Sequence, residues 1–439
     1  MENETDLPLA AAGEDTDAPR PPQRTRRSRW LTAGVPAFAA VLILAGTGTW
    51  LFSPWEHLSG AHGTPPRSVS GVPSSGARRF RDAADPILAA GALVERHDGG
   101  VRAVDLRTGR TWWGISRPGR VRVDAVGRVD GRRAAVVWSD RGLTIVDVRT
   151  GHRVHADLPD RSFPKVDSKG EEREVPAGLT GPAGRPLVAV VQDRGVDAYD
   201  ASSGRRVWSH AAPHDCVFGD PVGKARTEGS FLPLDVACAD GPPSPYDPQY
   251  AYSTLLDASS GRAMPGFERL PGGSLLPVGD HELLQNEVEN GLGRGYRVLD
   301  SRTGRPLWHV DSGAYAGVAG GDGLVVVTEH DDQITAYRAA DGKRLWRRTF
   351  SGAGDQLTRL RSGTVIGGQV RVVELEPRPI KVFTFDSAGK TTGIQELPMF
   401  ERGGDPGLVG GDFGTLVVED ENVEPNDKLP PYVLLTATG

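Results

Sequence analysis

From about residue 85 to the end, short apolar runs alternate with polar turns. No stretch there keeps the 3.6-residue spacing of a long amphipathic helix. The runs are ALVERH (92–97), AAVVWSD (134–140), PLVAVVQD (186–193), LPLDVACAD (232–240), LLPVGDHELLQ (275–285), GLVVVTEHD (323–331), GTVIGGQVRVVEL (363–375) and GTLVVED (414–420). Valine-rich runs of this length, bounded by glycine and aspartate, predict strands. Each is followed by a recurring element. Its best copies are AVDLRTGRTWW (103–113), AYDASSGRRVW (198–208), VLDSRTGRPLW (298–308) and AYRAADGKRLW (336–346). Weaker copies are IVDVRTGHRVH (145–155), LLDASSGRAMP (255–265) and TFDSAGKTTGI (384–394), and VLLTATG (433–439) is the front half of another.

One copy has a simple physical reading. An alternating strand enters a turn and a second strand runs back. The turn glycines are Gly109, Gly151, Gly204, Gly261, Gly304, Gly342, Gly389 and Gly439. Each supplies the positive φ of a type I turn with a bulge, which a Cβ would oppose. Asp105, Asp147, Asp200, Asp257 and Asp300 stand four residues earlier, where a carboxylate can accept turn N–H groups. Asp386 is one residue closer to its glycine, and Arg338 replaces the acid once. A ring of functional carboxylates is the rival reading of these aspartates, but a position fixed to one point of a hairpin indicates a local turn role.

Units of roughly 40–55 residues with three or four strands each predict an all-β fold, a β-propeller. Eight turns suggest eight blades. Seven remain if the 384–394 copy is absorbed into a neighbour. The last unit ends at its turn, so a strand from residues 78–90 must complete it and hide the edges.

The pattern A-x-D-x-x-T-G-[KR]-x-x-W resembles the tryptophan-docking repeat of PQQ-like (quinoprotein-type) β-propellers, over about residues 85–439. The resemblance implies that Trp113, Trp208, Trp308 and Trp346 dock against the neighbouring blade. A large aromatic at a fixed repeat position would also bury much area at a seam between units. His155 and Pro265 break the pattern, so those two seams should be weaker or differently packed.

The N-terminal part follows other rules. Residues 1–19 are acidic and unpatterned, and a basic run holds Arg20, Arg24, Arg26, Arg27 and Arg29; together 1–29 read as a disordered cytoplasmic tail. Residues 30–52, WLTAGVPAFAAVLILAGTGTWLF, carry no charge. About 20 such residues span a hydrocarbon core, and Trp30, Trp50 and Phe52 sit where an aromatic belt would lie. The arginines before the stretch predict an N-in, C-out single-pass anchor, with the propeller outside the cytoplasm. A cleaved signal peptide is the alternative, although no A-x-A site follows. No cysteine follows that could accept lipid. Residues 53–78 read as a flexible Ser/Gly/Pro-rich linker, and 79–439 as the propeller.

Composition changes this picture little. The net charge is −6, so no global basic field points to nucleic acid. The only cysteines are Cys216 and Cys238. Outside the membrane they suggest one disulfide, stabilising by roughly 3 kcal/mol and stapling a rim insertion over 213–250. His210, His214 and Asp215 nearby make zinc the rival, but H-x3-H belongs on a helix and this stretch follows a strand. The acidic stretches EHDD (329–332) and EDENVEPND (419–427) lack the spacing of a calcium loop and read as solvated turns. No G-x-S-x-G, Walker A or H-E-x-x-H is present.

The resemblance also implies a possible quinone with calcium, since PQQ-dependent dehydrogenases share this fold. Those enzymes resemble longer chains with adjacent cysteines beside the cofactor. Here the cysteines are far apart, and no matching ligands are found, so no catalytic residue, cofactor or metal is assigned. The expected function is a binding or scaffold module for a protein or cell-envelope ligand. A membrane-bound PQQ-dependent oxidoreductase is the alternative.

Overall fold

The computed structural model describes residues 57–59, 78–80, 86–159, 175–219, 229–238, 252–270, 275–311, 318–396, 406–420 and 432–436, apart from single positions and short connections within them. The expected tail (1–29) and anchor (30–52) lie outside these residues. Among the described residues no helix is long and apolar enough to cross a membrane.

The described residues form eight antiparallel sheets in chain order. In the first, Ile87–Ala89, Ala92–His97, Gly100–Asp105 and Thr111–Ser116 pair in sequence. The same four-strand meander recurs in the second (Val123 to Asp157), third (Val175 to Ala211), fifth (Leu275 to Asp311), sixth (Val318 to Thr349) and seventh (Arg359 to Glu396) sheets. The 384–394 copy therefore has a sheet of its own. The apolar runs read from the sequence supply second strands, and the recurring turn joins third strand to fourth.

Three sheets depart from this plan, each for a local reason. The fourth has only Cys216–Phe218, Phe231–Cys238 and Tyr252–Asp257. Pro265 stands where the fourth strand would continue and has no N–H to give a ladder; the returning chain makes two isolated bridges, Leu256 with Ala263 and Ser253 with Leu270. The eighth has Pro406–Asp412, Thr415–Asp420 and Tyr432–Thr436, and Arg78–Phe80 is its fourth strand. The register is Arg78 opposite Leu434, Arg79 opposite Val433 and Phe80 opposite Tyr432. The first sheet has a fifth strand, His57–Ser59, antiparallel to Gly114–Ser116. That strand lies inside the stretch read as a linker; the free edge of Thr111–Ser116 offers backbone groups that any extended segment can pair with.

First strands lie against the first strands of neighbouring sheets, with Phe231–Cys238 taking that place in the fourth sheet, and the eighth sheet returns to lie against the first. This cyclic order leaves no terminal sheet. The core sits in the seams between sheets. One hydrophobic cluster joins Val94, Ala103 and Trp113 of the first sheet to Val136, Trp138 and Val146 of the second. Others join the second to the third, the third to the fourth, and so on through the seventh. Inner strands thus face a seam on both sides. Arg133–Trp138 alternates Ala134, Val136 and Trp138 into one cluster with Ala135 and Val137 into another. This explains near-continuous apolar runs where a half-solvated strand would alternate. The outer strands face water: in Arg344–Thr349 only Trp346 is buried. All eight sheets and both chain-end strands lie within the compact unit Pro54–Gly439, so that unit holds its complete set of sheets without residues 1–53.

Candidate binding face

Because strands alternate in direction, the turns between third and fourth strands all open on one side of the ring. The connections between second and third strands, and those from sheet to sheet, open on the other.

The turn side is built by the repeat. Gly109, Gly151, Gly204, Gly261 and Gly304 each donate N–H to the carbonyl of the aspartate four residues back, at 2.8 Å. In the shorter 384–394 copy Gly389 donates to Asp386 at 2.9 Å, and where Arg338 stands Gly342 does the same. The aspartate carboxylates accept turn N–H groups: Thr108 to Asp105, Thr150 to Asp147, Ser203 to Asp200, Ser260 to Asp257, Thr303 to Asp300 and Lys390 to Asp386, all within 2.7–3.0 Å. Arg132 also reaches Asp147, and Arg185 reaches Asp200.

Burial favours protonation of Asp147, but hydrogen bonds from Thr150 and Arg132 outweigh it, and the carboxyl lies below the ordinary 3.8. Asp200, Asp257 and Asp300 move the same way, with burial again opposed by turn serines, threonine and arginines. A folded pKa below the unfolded one stabilises the fold above about pH 4, and the contribution is lost as pH falls through the folded values. The urea midpoint should therefore hold steady from neutral pH to about 5 and drop below about 4. Asp200→Asn should lower the neutral-pH midpoint and flatten that drop; an unchanged acid profile would remove the turn carboxylates from the account.

The tryptophans and glycines of consecutive copies meet. The indole N–H of Trp113 donates to Val148 O (2.8 Å), Trp208 to Ala258 O (2.8 Å), Trp308 to Ala339 O (2.6 Å) and Trp346 to Ser387 O (3.1 Å). In every case the acceptor is the residue after the aspartate position of the next copy. The next turn glycine lies under the ring. A Cβ on Gly261 would sit 2.4 Å from Trp208, on Gly342 2.7 Å from Trp308, and on Gly389 2.5 Å from Trp346. These glycines are thus required twice, for positive φ and for the indole face.

The two seams without tryptophan pack differently. A Cβ on Gly204 would meet His155 O at 2.6 Å, and one on Gly304 would meet Gly266 O at 2.9 Å, so backbone fills the place of the indole. The missing volume is supplied from elsewhere: Tyr199 lies in the cluster of the second and third sheets, and fully buried Phe267 in that of the fourth and fifth. Neither residue was singled out from the sequence: Phe267 holds no repeat position, and Tyr199 stands where other copies carry Val104, Val146, Leu256 and Leu299.

The opposite side carries the irregular chemistry. Cys216 and Cys238 face each other in register on neighbouring strands and are joined by a disulfide. The stretch 213–250 is consequently not one loop. It contains two strands of the fourth sheet, whose Phe218, Leu232 and Leu234 are core residues. Residues 220–228 and 239–250 of that stretch lie outside the described residues. With both thiols in the disulfide, the zinc alternative loses its sulfur donors. His214 Nδ1 lies 2.5 Å from Asp215, and His210 sits beside Phe218 with ring centres 6.0 Å apart. The Arg117 guanidinium lies 4.9 Å over the Trp138 ring and 2.6 Å from Asp140, in space left by Gly142.

The residues do not fit a quinone and its calcium. Buried carboxylates occur, but each is engaged within its own sheet: Glu95 with Arg102 (2.5 Å), Asp197 with Arg206 (3.3 Å) and Asp235 with Ser253 (2.7 Å). Among the described residues no three His, Cys, Asp or Glu side chains come together to hold a metal ion. These buried pairs were visible in the sequence as single acids inside apolar runs, such as Glu95 in ALVERH.

Residues 295–392 match the profile of the family described as outer membrane protein assembly factor BamB. This span holds three complete turns and both Trp308 and Trp346. No curated protein sequence matches the chain. Among solved structures it is similar to a computationally designed protein, Ika8, at 12% identity, covering 82% of this chain and 97% of that one with a TM-score of 0.51. BamB from Moraxella catarrhalis matches at 16% identity, covering 82% and 98%, with a TM-score of 0.47. The quinohemoprotein alcohol dehydrogenase ADHIIG from Pseudomonas putida matches at 15%, covering 78% and 70%, with a TM-score of 0.44. Over residues 295–392 this profile match agrees with the recurring turn and the indole-to-glycine seam in pointing to a PQQ-like β-propeller repeat.

Proposed function

We propose that this chain is a membrane-anchored, extracytoplasmic, eight-bladed propeller that acts as a non-catalytic scaffold. It would capture a protein or cell-envelope ligand on the side opposite the repeat turns. The observation that carries the reading is an asymmetry of connections. Between third and fourth strands the chain spends a nearly fixed hairpin in every described copy, and the turn side has one long connection, the 12 residues 219–230. On the other side the connections vary, with 15 residues at 160–174, 13 at 239–251 and a disulfide beside the second of these. Variable connections on a rigid frame are where binding residues concentrate. The matched family's name, that of an assembly factor, supports a role in handling other proteins. Eight blades rather than seven are supported by eight sheets in cyclic order, and the anchor by the uncharged stretch 30–52.

The test is crosslinking in intact cells with the full chain, followed by mass spectrometry. Deleting 239–251 while keeping both cysteines should abolish a specific crosslinked partner and leave thermal unfolding unchanged. The same partner captured at full yield would count against this side as the binding face. Protease added to intact cells should digest residues beyond 53, and their protection would contradict the topology.

A further inference from the structure

The residue after each turn glycine is a cation in every copy that has one: Arg110, Arg205, Arg262, Arg305, Lys343 and Lys390, with His152 in the second copy. All six Arg and Lys side chains are exposed. None makes a side-chain hydrogen bond or ion pair among the described residues. The turn aspartates keep their negative charge but are turned inward, accepting turn N–H groups and, at Asp147 and Asp200, Arg132 and Arg185; Asp105, Asp147 and Asp200 are buried beneath the exposed cations, and none pairs with them. Other acids on this side are also engaged: Asp130 with Arg133, Asp341 with Arg338, and Asp322 with the N–H of Gly368. Asp280 is exposed there as well. Glu329, Asp332, Glu419 and Asp420 stand where second strands end or third strands begin, on the opposite side. With a net charge of −6 over the whole chain, this concentration of unpaired cations is local.

We propose that the repeat-turn side of the ring rests on an anionic lipid surface. Each cation comes from a different sheet, so they are distributed around the ring. A small anion could touch one of them at a time. A flat, laterally extended array of phosphate headgroups can meet them together, each contributing additively and falling off within a Debye length. The inference rests on the membrane-anchored reading in that it needs a bilayer nearby; 30–52 would supply one. It also complements that reading, because it leaves the side with variable connections facing away from the lipid.

The test uses residues 54–439, which lack the anchor, so failure of the anchor and failure of this proposal are separable. Vesicles of phosphatidylcholine, alone or with an equal part of phosphatidylglycerol, are sedimented with the protein at low salt. The protein should pellet with the phosphatidylglycerol vesicles only, and release as salt approaches physiological strength and beyond. The variant with Gln at positions 110, 205, 262, 305, 343 and 390 should bind about 10,000-fold more weakly and no longer pellet. These side chains are exposed and unpaired, so its circular dichroism should match the parent; if it does not fold, the three-site variant R205Q/R305Q/K343Q serves, with an intermediate loss expected. Equal binding to both vesicle types, or undiminished binding of a folded variant, would overturn the proposal. Binding to polyglutamate without binding to vesicles would also overturn it and point to an acidic protein instead.

Discussion

Replacing Trp208 by alanine is expected to destabilise residues 54–439 by about 3–5 kcal/mol, read as a fall in the urea midpoint. The indole is 8% exposed and shares one cluster with Leu187 and Ala198 of the third sheet and Leu232, Leu234 and Leu256 of the fourth. Alanine would leave a cavity at the seam and orphan Ala258 O, which now accepts the indole N–H. The effect should be larger here than in most seams. The fourth sheet has three strands, and its far seam lacks a tryptophan, so fewer other contacts hold it. A loss below about 1 kcal/mol would mean that the indole is not what joins these sheets.

Gly261→Ala should cost about 2–4 kcal/mol by the same measurement, a large effect for one methyl group in a surface turn. Two terms add. Gly261 has φ +67°, a left-handed conformation that opposes any Cβ, and the new carbon would fall 2.4 Å from the Trp208 ring. The second term depends on the indole, so the two substitutions should not be additive. In a Trp208→Ala background the ring is gone and only the conformational cost, about 1–2 kcal/mol, should remain. Gly367→Ala is the reference: its φ is +58° and no atom lies within 4 Å of the added Cβ, so it should show the conformational cost alone. Equal losses at Gly261 and Gly367 would refute the close approach of glycine to indole.

The repeat made most of this architecture legible in advance. The glycine, the aspartate and the tryptophan hold fixed positions because they serve one hairpin and one seam, and such positions can be read by counting. The need for a strand near residue 80 was legible too, since a chain that ends at a turn leaves the eighth sheet open. What failed to show was whatever depends on the neighbour rather than the copy. Phe267 fills a seam without an indole from a place no period marks, and Tyr199 fills another from a repeat position that holds Val104, Val146, Leu256 and Leu299 in other copies. The disulfide between Cys216 and Cys238 was legible from the two cysteines themselves, but its place between paired strands was not, because the proline-rich sequence of 213–250 resembles a loop. His57–Ser59 gives no strand signal of its own, because its partner edge lies more than fifty residues away. The binding face was legible only as the absence of pattern, and its ligand is specified by no repeat.

The central claim is that this repeat frame serves binding and houses no quinone. Titrating residues 54–439 with PQQ and calcium at micromolar concentration, followed by quinone absorbance and dye-linked oxidation of alcohols and sugars, tests it most directly. No shift in the quinone spectrum, no turnover and no change in thermal unfolding are expected. Saturable quinone binding with calcium-dependent turnover would contradict it.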